Sequence, residues 1–147
     1  MKYLLDTNVF REIGKSKPHE NVNAWLATVD DADLAISALT VREVAKGVAK
    51  LASSKPDVAV EIAAWIEVAF DAFAGRILPI DRAVAHAWGE ALAQSERHAD
   101  DAGFAATARV YGLVLVTRNT RDMARRNVSM LDPYKSPPQR SPRGRPR

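Results

Sequence analysis

Four carboxylates recur in one kind of place along this chain. Asp6 follows the apolar run Tyr3-Leu4-Leu5. Glu43 lies a helical turn past Leu34-Ala35-Ile36. Asp101 opens the segment Asp100-Asp101-Ala102-Gly103-Phe104-Ala105-Ala106-Thr107-Ala108, and Asp122 follows Leu113-Val114-Leu115-Val116. Short apolar runs bounded by turn residues read as buried strands of a parallel sheet, and ligands of open α/β sheets bind outside the carboxyl ends of the strands. Two carboxylates about 4 Å apart repel by about 4 kcal/mol at an effective dielectric near 20. Four acids gathered on one rim therefore need a compensating cation. Oxygen donors select a hard divalent ion, and Mg²⁺ is held by one or two carboxylates together with waters and substrate phosphate. His19, His86 and His98 are scattered and there is no cysteine, so no nitrogen and sulfur donor set competes for zinc.

Each acid has a plainer reading when taken alone. Asp6 suits a helix N-cap, with Thr7 and Asn8 opening the helix. Thr40-x-x-Glu43 has the form of a capping box. Asp100 and Asp101 in a first helical turn favour the macrodipole, and Asn119 with Asp122 suggests a second cap. Capping does not explain the shared location at strand ends. Nor does it explain Asp101, which shares a helix face with Phe104, Ala105 and Ala108, the apolar side.

The elements that must position these acids alternate between strand and helix. Strands are expected at 2–5, at 34–36, at Ile77-Leu78 and at 113–116, with a final edge strand from Val128 to Leu131. Between them, Val22, Trp25, Leu26 and Val29 have helical spacing. Ser37 to about Ala52 forms a helix, and another follows Pro56 with Ile62, Trp65, Ile66, Ala69 and Phe73 as its inner stripe. Asp81 caps a helix carrying Val84, Trp88 and Leu92. Residues 100–111 form a helix closed by Gly112, and a short helix covers about 121–126. This alternation argues for a parallel sheet covered on both faces.

Composition bounds the rest. The 147 residues, 47% hydrophobic and 27% charged, fit one globular domain with a real core. The absence of cysteine excludes disulfides and fits a reducing compartment. Neither a signal-peptide pattern nor a membrane-length apolar run is present, so a cytoplasmic location is expected. The net charge of +3 divides unevenly. Lys135, Arg140, Arg143, Arg145 and Arg147 are all in residues 133–147, and subtracting those five leaves −2 for residues 1–132. With five prolines and little that is apolar, residues 133–147 read as a basic, disordered tail following a domain of residues 1–132.

Leu4-Leu5-Asp6-Thr7-Asn8, Ser37-x-x-Thr40-x-x-Glu43, Asp101-x-x-x-Ala105-Ala106-Thr107-Ala108 and Leu115-Val116-Thr117-Arg118-Asn119-x-x-Asp122 resemble, in order, the four motifs of PIN-domain ribonucleases. The likeness is greatest to the VapC/FitB-like toxins of type II toxin–antitoxin modules, often called plasmid stability proteins, and it covers about residues 1–132. The resemblance implies a three-layer α/β/α fold with a short central parallel sheet. It also implies RNA cleavage dependent on Mg²⁺ or Mn²⁺, inhibition by a cognate VapB-like antitoxin, and assembly as a homodimer and as a toxin–antitoxin hetero-oligomer. By the same resemblance Asp6, Glu43, Asp101 and Asp122 form the acidic metal site, supported by Thr7, Asn8, Thr117, Arg118 and Asn119. Three features depart from the family pattern: the doublet Asp100-Asp101, where counting back from Ala105 selects Asp101; Gly103, where a larger apolar residue is usual and a looser helix is expected; and the tail.

In such a site metal held by Asp6 and Asp101 would orient a water and offset charge developing on the phosphodiester. Glu43 and Asp122 complete the shell, and either is a candidate general base. Arg118, Arg121, Arg125 and Arg126 cluster beside the last motif, where they read equally as RNA-backbone contacts or as a solvated basic face. Two other readings compete. A catalytically inactive PIN-like module would act only as the partner of an antitoxin, but all four acids are present. A haloacid-dehalogenase-like phosphoryl-transfer enzyme would carry a second acid two residues after the first, where this chain has Asn8.

Overall fold

Strand β1 (Tyr3–Leu5) lies at the centre of a six-stranded sheet with β2 (Leu34–Ser37), β3 (Ile77–Leu78), β4 (Val114–Val116), β5 (Met130–Asp132) and β6 (Gln139–Ser141). The spatial order is β3-β2-β1-β4-β5-β6. Pairings among β1 to β5 are parallel, and β6 runs antiparallel to β5. The chain winds outward from β1 through β2 to β3, then crosses back to place β4 on the other side of β1. The crevice where the winding reverses therefore lies between the carboxyl ends of β1 and β4, the place where open sheets of this kind bind ligands. The computed structural model describes residues 1–143.

Both faces of the sheet are covered, as the alternation of elements requires. Side chains of successive strand residues point to opposite faces, and the core divides accordingly. Leu5, Ile36 and Val116 pack with α1 (Thr7–Glu12), α2 (Glu20–Leu26), α3 (Ala38–Ala52) and α4 (Pro56–Ala72), through Phe10, Trp25, Val44 and Ile66. Leu4, Ala35 and Leu115 face α5 (Arg82–Gln94), α6 (Ala99–Tyr111) and α7 (Thr120–Met123), through Trp88, Phe104, Ala108 and Met123. Full burial of each large apolar side chain contributes roughly 1.5–3 kcal/mol, so the two clusters rigidly fix the strand ends that carry the acids.

The helix boundaries have local causes. Asp6 caps α1, Ser37 caps α3 through Leu39 N at 3.0 Å, and Asp81 caps α5 through Val84 N at 2.9 Å. Pro56 starts α4, and Gly112 ends α6 at φ 66°, a left-handed conformation that glycine adopts without steric cost.

Several expectations are corrected. Thr40 does not cap a helix. It sits inside α3, fully buried, with its hydroxyl 3.2 Å from that of Thr7. Ile62 is not part of the inner stripe of α4; it is exposed, and Ala59 is buried instead. Gly103 does not loosen α6. A Cβ there would stand 2.6 Å from Leu39 Cδ1 and 3.0 Å from the Trp88 ring, so its absence lets α6 close on α3 and α5. The strand at 130–132 is not an edge, because β6 pairs with it. Residues 133–143 are accordingly not a disordered tail. They hold β6 by backbone pairing, and Tyr134 packs edge-on against His19 at 4.9 Å. The prolines flank this outermost strand, where a missing N–H is tolerated. Residues 144–147, also expected to be disordered, lie outside the described residues.

Candidate active site

Asp6 is built into the sheet at the point of reversal. Its backbone N–H donates to Val116 O at 2.9 Å, tying the end of β1 to the end of β4. One carboxylate oxygen, Oδ1, accepts from Thr7 N at 2.7 Å, and the other, Oδ2, accepts from the Thr117 hydroxyl at 2.8 Å. Thr117 Oγ1 accepts in turn from Asn119 N at 3.0 Å, and Asn119 Nδ2 donates to Asp101 Oδ2 at 3.3 Å. A single polar chain thus links the residue after β1, the loop after β4 and the first turn of α6. Asn119 occupies the cap position of α7, yet its side chain makes no cap bond there and reaches Asp101 instead.

Asp6, Glu43 and Asp101 line one open cleft of about 390 Å³, with Thr7, Asn8, Phe104, Arg118 and Asn119 completing its wall. The carboxyls perturb one another. Burial pushes the Asp6 carboxyl above its ordinary range, the hydrogen bonds from Thr117 and Thr7 work against that rise, and the charge of Asp101 adds to it. Asp101 is also raised, first by burial; the positive charges of Arg126 and His98 oppose the rise, and Asp122 and Glu43 reinforce it. A raised carboxyl marks negative charge that the protein itself does not fully offset.

The remaining acids separate by role. Asp100 forms an ion pair with Arg42 at 2.5 Å, which leaves Asp101 as the member of the doublet that faces the cleft. Asp122 is exposed and does not line this cleft. It borders a larger cavity of about 690 Å³ on the far side of Asp101. The structure therefore brings three of the four sequence-selected acids to one cleft, with the fourth beside it. Among the described residues, no three His, Cys, Asp or Glu side chains converge closely enough to hold an ion by themselves. The donor chemistry still fits a hard divalent cation, since Mg²⁺ uses one or two carboxylates and fills its shell with water. Asp6 and Asp101 are two such carboxylates, Asp6 raised by burial and by the charge of Asp101, and Asp101 raised by burial and by the charges of Asp122 and Glu43.

Tyr134 is a site residue that sequence reasoning placed in the tail. Its ring lies beneath the Arg118 guanidinium, 3.7 Å from centroid to Cζ, and its hydroxyl donates to Asn8 O at 3.4 Å. Asn21 Nδ2 donates to Tyr134 O at 2.7 Å, which fixes the residue from the other side. Tyr134 thus holds Arg118 at the mouth of the cleft. The one sequence signal for this role is a lone aromatic in a stretch otherwise poor in apolar residues.

The chain is similar to known proteins along most of its length. A family model described as PIN domain matches residues 3–128. The toxin FitB of Neisseria gonorrhoeae is 35% identical over 136 residues, which cover 89% of this chain and 97% of that protein. The VapC ribonuclease Y4jK of Sinorhizobium fredii is 30% identical, over 89% of this chain and 96% of that protein. The crystal structure of FitAcB from Neisseria gonorrhoeae contains a chain that superposes with a TM-score of 0.75 at 34% identity, covering 90% of this chain and 98% of that one. With a parallel sheet reversing at β1, acids on its carboxyl rim and these likenesses across nearly the whole length, the chain belongs to the PIN domain family.

Proposed function

We propose that this chain is a metal-dependent endoribonuclease, the toxin of a toxin–antitoxin module, held inactive by a cognate antitoxin. The observation that carries the reading is the convergence of Asp6, Glu43 and Asp101 on one cleft at the reversal point of the sheet. The names of the relatives, a toxin and a VapC ribonuclease, support it. Asp6 and Asp101 would hold Mg²⁺ or Mn²⁺, with Glu43 and Asp122 as the further acids beside them. When bound, the ion supplies charge stabilisation at the phosphate and a more acidic water. Glu43, which lines the cleft, would act as the general base toward the attacking water. Thr117 and Asn119 fix the rotamers of Asp6 and Asp101. Thr7 and Asn8 hold the first loop, and Arg118 meets the RNA backbone at the cleft mouth.

The partners expected are an antitoxin chain and a second copy of this one. Val58, Val60, Ile62 and Val68 leave exposed apolar surface on α4 for such association. Among the described residues no helix is long and apolar enough to cross a membrane.

The test is cleavage of total RNA by the purified chain with Mg²⁺, with Mn²⁺ and with chelator. Metal-dependent cleavage that is lost in Asp6→Asn supports the reading. Cleavage unaffected by chelator, or none with either ion while the folded chain binds an antitoxin, sinks it and favours the inactive, partner-binding module.

A further inference from the structure

A cavity larger than the carboxylate cleft lies beside it, a basin of about 690 Å³ formed by α5, α6, α7 and the turn after α7. Arg97, Arg109, Arg121, Arg125 and Arg126 all line it. None of the five forms an ion pair among the described residues, and Glu90, an acid on the same wall, is engaged by His86 at 3.1 Å. The Nε atoms of Arg109 and Arg126 are fully buried and have no hydrogen-bond partner among the described residues. Buried, unpaired guanidinium N–H groups are costly. Five arginines against two acids, Glu90 and Asp122, around one hollow therefore point to an absent polyanion.

The basin continues into the carboxylate cleft. His98 lines it and also lines a shallow hollow with Glu43, Asp100 and Asp101. Glu43 and Asp101 in turn line the cleft around Asp6. Arg126 steadies this passage, its Nη2 donating to the carbonyls of Arg97 and His98 at 3.5 Å each. His98 sits there in a left-handed conformation at φ 54°, turning the chain into α6. On the far rim, Asn127 Oδ1 accepts from Arg143 Nε at 3.1 Å, adding one more cation.

We propose that this arginine basin is a phosphate-binding track for single-stranded RNA, guiding the strand past His98 to the carboxylates. The inference rests on the ribonuclease reading and deepens it by naming the surface that receives the substrate and its single-stranded form. Guanidinium groups suit phosphate oxygens, which they bind in bidentate fashion. A concave path that passes His98 suits a flexible strand better than a rigid duplex. An acidic peptide is the other polyanion that such a basin admits. Phosphate is favoured because the path leads directly to the acids that would act on a phosphodiester.

The test measures binding, separately from cleavage. A fluorescent RNA oligonucleotide is titrated with the full chain in chelator, across a series of salt concentrations, for wild type and for Arg121→Gln/Arg125→Gln, two exposed positions whose loss spares the core. Each phosphate contact with a single strand contributes about 0.7 to the salt slope, so the double variant should lose about 1.4 and the wild-type advantage should shrink about sevenfold between 50 and 200 mM salt. Asp101→Asn serves as the companion variant, and it should bind RNA at least as well as wild type. A duplex of the same sequence should bind more weakly than the single strand. If wild type binds RNA and the double variant matches its affinity and slope, the basin is not the track. The track is likewise overturned if a poly-glutamate peptide binds the basin and the variant loses that peptide but not RNA. A wild type that binds no RNA instead removes the ribonuclease reading itself.

Discussion

Asp101 is the residue where charge and position are most finely balanced. Burial raises it, Arg126 and His98 attract it, Asp122 and Glu43 repel it, and Asn119 donates to it. Asparagine in its place keeps the shape and removes the charge. Without metal, Asp101→Asn should melt higher than wild type, by on the order of 2 °C for a chain of this size. Added Mn²⁺ should raise the midpoint of wild type with concentration, as mass action requires, and leave the variant unmoved. Cleavage should be lost in the variant. Asp100→Asn should retain cleavage, because that carboxylate is engaged by Arg42, and should cost no more than the ~0–1 kcal/mol of an exposed ion pair. Thermal melts in chelator and in Mn²⁺, run with an RNA cleavage assay, check all four outcomes. Loss of cleavage in Asp100→Asn alone would move the site by one residue. Asp6 was legible because a strand end announces itself by an apolar run followed by a polar residue, Glu43 because it lies one helical turn past such a run, and Asp101 because it shares the apolar face of α6. The displacement of Asp122 toward the arginine basin was not, since the pitch of a four-residue helix after a loop is set by packing and not by spacing.

At the scale of elements, contacts between helices decide what single substitutions do. Gly103→Ala improves intrinsic helix propensity by up to ~1 kcal/mol. The added methyl nevertheless meets Leu39 and the Trp88 ring inside van der Waals distance, so overpacking of about 1–3 kcal/mol should dominate. Urea unfolding should show a net loss of stability; a gain would mean that Leu39 and Trp88 yield at little cost. Sequence alone suggested the opposite consequence for this glycine, because propensity is local and the approach of α6 to α3 is not. The link from α1 to α2 is governed by Glu12, whose carboxylate accepts from Lys15 Nζ and from His19 N, each at 2.9 Å. Burial raises its pKa, but the Lys15 and His19 interactions outweigh burial and hold it below the ordinary 4.5. A carboxyl lowered on folding contributes stability that is present above its unfolded pKa and lost as pH falls through the folded value. Glu12→Gln should therefore destabilise by about 1.5–3 kcal/mol at pH 7, the range for a charge-assisted hydrogen bond. That difference should close as pH drops below 4.5. Urea midpoints of both chains from pH 7 downward test this, and a difference that stays constant with pH would show that shape and not charge is at stake.

The whole molecule depends on residues that its composition disguises. Alternating strands and helices made the α/β class legible, since each β-strand is an apolar run between polar turns. Residues 133–143 hid their part because backbone pairing leaves no mark on side-chain composition, and Gln139, Arg140 and Ser141 look like solvated chain. In the fold they protect β5, whose Leu131 and Asp132 are buried, and they place Tyr134 between His19 and Arg118. Truncation after Asp132 removes the β6 ladder, uncovers the edge of a parallel sheet and deletes the ring that supports Arg118. Loss of the Tyr134 packing alone should cost about 1–3 kcal/mol. The truncated chain should thus melt several degrees lower, on the scale of about 2–4 °C per kcal/mol, and its exposed edge should favour aggregation. Tyr134→Phe keeps the ring and loses the 3.4 Å bond to Asn8 O, so it should stay close to wild type in stability, whereas Tyr134→Ala should approach the truncated chain. The same ladder of variants separates support of the fold from support of the site. If Tyr134 holds Arg118 for RNA, Tyr134→Ala should weaken RNA binding at temperatures well below its melting point, and Tyr134→Phe should not. Melting curves and RNA binding measured together decide the matter: a truncated chain as stable as the full one would show that β6 and Tyr134 rest on the domain without holding it together.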